Sequence, residues 1–210
     1  MIGSPGQPSA TSARRPRFFR ATGDPRRDRG AALVEAAFVT PVLLFLVFGL
    51  FEVGLLFRNY LGVSAAVKDG ARAASIASNN PQADWLVLQA IRRTSAPLPD
   101  GAIQRIIVFD ASLPANANGP SADCLNLLPG TRCNAYVPTD WETYDADKFE
   151  CNGIPDPDWC GADRDSFFSD PTPARIGVHI EVRHDYITGL FGDSLGIEEV
   201  AIFRIEPTAS

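Results

Sequence analysis

The sequence predicts an α+β protein, in which a long N-terminal transmembrane helix continues into an exterior domain with an antiparallel sheet and a disulfide-stapled insert. Three observations carry that class. Ala31–Phe57 is an apolar run whose only ionisable residues are Glu35 and Glu52; alternating strand patterns follow it beyond residue 100; and all four cysteines fall in an irregular stretch between two of those strands.

Residues 1–30 hold seven Arg against two Asp, with many Gly, Pro and Ser and few large apolar side chains. Such a segment cannot offset the entropy of ordering itself and reads as a disordered basic leader. Residues 31–57 form the transmembrane helix, about 40 Å long at 1.5 Å per residue against a hydrocarbon core of about 30 Å. Residues 58–210 make the exterior domain, with twelve Lys and Arg against 21 Asp and Glu. Basic residues beside a span resist translocation whereas acidic ones matter little. The expected topology is therefore single-pass in the cytoplasmic membrane, N-terminus inside and the C-terminal domain extracytoplasmic. The leader's arginines lack a helical period and abut the span, so they read as topogenic, with no nucleic-acid partner.

Within the span, Pro41 removes one backbone hydrogen bond, and Gly49 and Gly54 offer small faces for another helix. Glu52 has Arg58 within two helical turns and is expected to snorkel toward the outer interface. Beyond Arg58 the helix continues as an amphipathic extension, with Tyr60, Val63, Val67, Ala71, Ala74 and Ala77 on the core face and Asn59, Lys68, Asp69, Arg72 and Ser75 on the other. It is expected to end at Ser78–Pro81. A second helix over 82–94 places Trp85, Leu88 and Ile91 on one face.

Strands are expected at Ile103–Ala111, Arg175–Ile187 and Val200–Glu206. In the second, Ile176, Val178, Ile180 and Val182 alternate with Gly177, His179, Glu181 and Arg183, which implies one buried and one wet face. The insert at 112–173 is long for a segment without regular structure. Cys124, Cys133, Cys151 and Cys160 fall within it, on the oxidising side of the membrane, and their even number fits two disulfides. The local loops Cys124–Cys133 and Cys151–Cys160 are taken first, with the two other connectivities open. Close Cys-x-x-Cys pairs, which a structural zinc site would use, are missing, and the acidic stretch Asp145–Ser166 lacks the EF-hand pattern. No metal and no cofactor is expected. Trp141, Tyr144 and Trp159 read as a small core of the insert.

The placement of Glu35 calls for an explanation, because an ionised carboxylate costs about 2.5–3.5 kcal/mol at the centre of a membrane helix. The string "RGAALVE" sets it as the fifth residue after a glycine that closes a basic leader. This resembles a prepilin-type processing site, cut between Gly30 and Ala31. The wider block "RGAALVEAAFVTPVLLFLVFGLFEVGLLF", with Pro41, Glu52-Val53-Gly54 and the later Gly70-Ala71-Arg72, resembles the TadE-like family of tight-adherence pilus proteins. Ala36 stands where an aromatic residue often follows the glutamate.

The resemblance implies a pilin-like component or assembly factor that acts by anchoring and subunit assembly. Its implied partners are other pilins or pilus-assembly membrane proteins and a prepilin peptidase. Glu35 and Pro41 would be the assembly residues, with Glu35 pairing with the amine that cleavage frees on Ala31. The alternative is an anchored extracytoplasmic binding module that uses the Cys-rich acidic insert. Catalysis is not expected. "FGDSLG" at Phe191–Gly196 copies a lipase string, yet Ser194 has no histidine after it, so the string reads as a Gly/Asp turn between strands.

Overall fold

The computed structural model describes residues 25–151, 158–164 and 174–206, with side chains from Gly30 onward. Residues 1–24 of the leader, 152–157 and 165–173 of the insert, and 207–210 lie outside the described residues. The elements are α1 (Pro25–Ala77), α2 (Ala83–Thr94), β1 (Ile103–Asp110), α3 (Ala122–Leu125), β2 (Cys133–Tyr136), α4 (Pro138–Thr143), β3 (Arg175–Asp185) and β4 (Ser194–Arg204). The chain divides into two units, Met1–Leu46 and Val47–Ser210. In the first unit α1 runs through Pro41.

The second unit is an α+β fold. Its sheet has the order β2-β1-β3-β4, with every neighbouring pair antiparallel. α1 ends where Ser78 takes a φ of 50°, a left-handed turn that a helix cannot continue, with Pro81 soon after. α2 carries Arg92 and Arg93 in its last turn, where the helix dipole favours cations. Ile106, Val108, Ile176, Val178, Ile180 and Val182 point from one sheet face into the main core, where they meet Val63, Val67, Ala71 and Ala74 of α1 and Val87, Leu88 and Ile91 of α2.

Two features of the amphipathic extension differ from the sequence reading. Val63, Val67, Ala71 and Ala74 are buried as expected, but Asn59 and Ser75 are buried too whereas Tyr60 is 44% exposed, so the buried face of α1 takes in two polar residues and leaves Tyr60 out. Both polar groups are used: the Asn59 amide meets His184, and the Ser75 hydroxyl donates to the Arg204 carbonyl on β4. The second correction concerns the far face of the sheet. Gly177 and His179 are buried there, because α3 and its disulfide lie over Ile107, Phe109 and Ala111 as a second core. At its edges that face reaches water, at Arg175 and Arg183 on β3 and at Glu198 on β4.

The described part of the insert carries more regular structure than its composition suggests, holding α3, β2 and α4. Disulfides join Cys124 to Cys133 and Cys151 to Cys160, each across a separation of 9 residues. Loops of this size each contribute about 2–4 kcal/mol by restricting the unfolded chain. Trp141 and Trp159 do not make a separate core; with Phe149 they join the main one, and Tyr144 packs against it.

A buried polar knot fixes the insert to α2. The Asp84 carboxylate accepts from Asn134 Nδ2 at 2.7 Å, from the Tyr136 hydroxyl at 2.7 Å and from Arg164 Nη2 at 2.5 Å. Asn134 in turn brackets Trp159, accepting from its N–H at 2.9 Å and donating to its carbonyl at 2.8 Å. The Arg164 guanidinium lies 4.6 Å from the centre of the Trp159 ring. Desolvation first, and the Asp84 charge second, hold the Tyr136 phenol well above its ordinary value of 10.0.

This raised value has a sign for stability. The unfolded chain releases the Tyr136 proton first, so the contribution is complete below pH 10.0 and is lost as pH climbs from there toward the folded value. Denaturant midpoints measured across that range are expected to fall, and the fall is expected to flatten in Tyr136→Phe. An equal fall in the variant would assign the alkaline loss to other groups.

Candidate functional site

The residues singled out in the sequence, Gly30, Ala31, Glu35 and Pro41, all lie on α1 and are all exposed. Glu35 sits one helical turn from Ala31, as four-residue spacing requires. Around them Leu33, Phe38, Val42 and Phe45 are also exposed, at 71%, 76%, 62% and 57%. A contiguous apolar surface of this extent marks a membrane or partner surface. Over Gly30–Ala77 the helix is long and apolar enough to cross a membrane.

Glu52 behaves otherwise. It does not snorkel toward Arg58: it is 1% exposed and accepts a hydrogen bond from the Thr188 backbone N–H in the β3–β4 turn. Seven residues on, Asn59 Nδ2 donates to His184 Nδ1 at 2.8 Å, and both side chains are buried. The turn itself closes through Tyr186 N–H to the Asp193 carbonyl at 3.0 Å. Gly189 and Gly192 take φ of 69° and 108° there, a conformation that side chains resist. Gly49 faces the same turn: a Cβ added to it would lie 3.9 Å from Phe191, whereas one on Gly54 would meet open space.

The later glycine has a clear packing reason. A Cβ on Gly70 would lie 2.7 Å from Ile91 Cγ1 and 2.9 Å from its Cδ1, so glycine lets α2 close onto α1 at this level. Ala71 beside it is fully buried. Asp69 accepts from the Thr94 hydroxyl at 2.6 Å, tying the end of α2 to the same turn of α1.

"FGDSLG" forms the β3–β4 turn and the start of β4. Ser194 opens β4 opposite Asp185. His184 is engaged with Asn59 on α1, and His179 is buried between β1 and β4, where desolvation lowers its proton affinity. Among the described residues no group of three or more His, Cys, Asp or Glu could hold a metal ion.

The fold and the site define a class: an α+β domain built onto the end of a long apolar helix, with its helix–helix junction and hairpin turn fitted to that helix. Residues 30–72 match the family model of the TadE-like protein. The match shows the resemblance over that segment, which takes in Glu35, Pro41, Gly54 and Gly70–Arg72. Searches of curated proteins and of solved structures find no match.

Proposed function

We propose that the protein is a pilin-like component or assembly factor of tight-adherence pilus biogenesis, working through membrane anchoring and subunit assembly. The match of residues 30–72 to the TadE-like family is the observation that carries this reading. The exposed apolar surface of α1 supports it, because a helix that exposes Leu33, Phe38 and Phe45 needs a non-aqueous surrounding. In this reading residues 31–57 span the cytoplasmic membrane as one pass. The basic leader stays inside, and the domain from residue 58 lies outside.

A prepilin peptidase cuts after Gly30, and the freed amine of Ala31 pairs with Glu35 of a neighbouring subunit. Pairing removes the cost of an isolated carboxylate in hydrocarbon. Amino-terminal sequencing of the membrane-fraction protein, with and without a prepilin peptidase, tests the route. A peptidase-dependent end at Ala31 is expected; retention of Met1 in both samples assigns a permanently anchored assembly factor, and an end beyond the apolar run, as signal-peptide cleavage after the small residues Ser64–Ala66 would leave, overturns both forms. Glu35→Ala is expected to insert normally while co-assembly falls tenfold or more, equivalent to about 1.4 kcal/mol. Unchanged co-assembly would remove the pairing role.

A further inference from the structure

The β3–β4 turn presents an apolar tip: Ile187, Leu190 and Phe191 are 77%, 40% and 53% exposed. Its base is polar, with Arg183 and Asp185 paired at 2.9 Å. The tip is also held in place rather than projecting freely. Thr188 N–H bonds Glu52, Phe191 lies against Gly49 and within 6.0 Å of the Tyr186 ring, and Leu190 N–H reaches Thr188 Oγ1 at 3.3 Å.

The level of that attachment decides what surrounds the tip. Gly49 and Glu52 lie about two turns and one and a half turns before Phe57, the last residue of the apolar run, or about 8–12 Å along the axis. Beside them Leu50, Phe51 and Val53 are exposed at 74%, 68% and 54%. The hairpin tip and the outer end of the span therefore make one continuous apolar surface. We propose that this tip inserts into the outer leaflet of the membrane, with Ile187, Leu190 and Phe191 among the acyl chains beside the outer end of α1. Burying apolar side chains at the headgroup boundary is how interfacial segments gain affinity for a bilayer. The tip also covers Glu52 and supplies it with a hydrogen-bond donor where an uncovered carboxylate would be costly. The domain is thereby moored at two points, the helix and the hairpin, which limits its tilt against the bilayer.

The inference rests on the membrane-spanning reading of α1, and the test separates the two. Full-length protein is reconstituted in phosphatidylethanolamine and phosphatidylglycerol vesicles, native disulfides intact. An environment-sensitive fluorophore is placed singly at Ile187→Cys, at Leu44→Cys in the span, or at Ala115→Cys at the opposite end of the sheet. Quenching is read with nitroxide carried, in separate samples, on the upper and on the lower acyl chain, each label being scored with the more effective of the two, because residue 44 lies at mid-span. Labels at 44 and 187 are expected to be quenched several-fold more strongly than the label at 115, and a label at Leu190→Cys is expected to repeat the result for 187. A label at 187 that behaves like the one at 115, while 44 is quenched, overturns the insertion and leaves the surface to a protein partner. An unquenched label at 44 overturns the membrane-spanning reading, and the insertion with it.

Discussion

Asp84→Ala is expected to destabilise the α+β domain by about 3–5 kcal/mol, the usual cost of stranding one member of a buried ion pair. The side chains of Arg164 and Asp84 are 0% and 3% exposed, so neither can recover its hydration if the other is removed. Asp84 also serves Asn134 and Tyr136, and its loss leaves two further buried donors without an acceptor. A domain of this size loses about 2–4 °C of melting temperature per kcal/mol, so thermal unfolding of the detergent-solubilised chain should move down by about 10 °C. The double variant Asp84→Ala with Arg164→Met should recover part of the loss, because Met keeps apolar volume beside Trp159 without an unpaired charge. A single variant within about 1 kcal/mol of the parent would mean that water reaches the knot.

That expectation changes the reading of the insert. A Cys-rich, acidic segment looks like an appendage, and its composition gives little sign of packing. The knot instead makes it a third layer of the domain: Asp84 on α2, Asn134 and Tyr136 on β2, and Arg164 beyond the second disulfide meet around one carboxylate. The same segment closes the other side of the sheet through α3 and Cys124–Cys133.

The parts legible in the sequence were those with a strong local period or a spacing motif. The alternation of Ile176, Val178, Ile180 and Val182 located the central strand, and the Asn-Asn-Pro breaker located the end of α1 at Ala77. The resemblance over 30–72 rested on separated Gly, Pro and Glu positions rather than on apolar composition, and the family match covers those positions. What stayed hidden depended on partners distant in sequence. Glu52 and Asn59 looked like polar residues seeking water, yet they lie on the same helical stripe as Val63, Ala66 and Gly70, and they are buried because the hairpin turn of residues 184–188 comes to meet them. Carrying the three- and four-residue steps of that stripe backward from Gly70 would have reached both. The early part of β4 gives little strand signal because Ser194–Glu199 has only Leu195 and Ile197 as apolar side chains, interrupted by Gly196, and it forms a strand by pairing with β3. β2 was hidden between cysteines, with four residues and no period to show.

Gly177→Ala carries the other large expected effect, and its sign depends on which of two terms wins. At an ordinary strand position the exchange would help, since glycine costs roughly 0.5–1 kcal/mol relative to alanine within a strand. At 177 a Cβ would lie 2.1 Å from Phe109 Cζ, with two further ring atoms at 2.5 and 2.6 Å. Phe109 is the cross-strand partner of Gly177 and is fully buried in the second core. The ring cannot turn into water, and a backbone shift would strain the register of β1 against β3. Overpacking of this kind costs about 1–3 kcal/mol and occasionally more, which exceeds the backbone gain; a net loss of about 2 kcal/mol is expected by denaturant unfolding. Phe109→Leu alone opens space and destabilises in its own right, but combined with Gly177→Ala it should cost less than the two single losses together, by about 1 kcal/mol or more. Additive losses would show that the ring and the glycine do not share the space, and would place the tolerance of the sheet in the backbone rather than in the layer that the first disulfide closes.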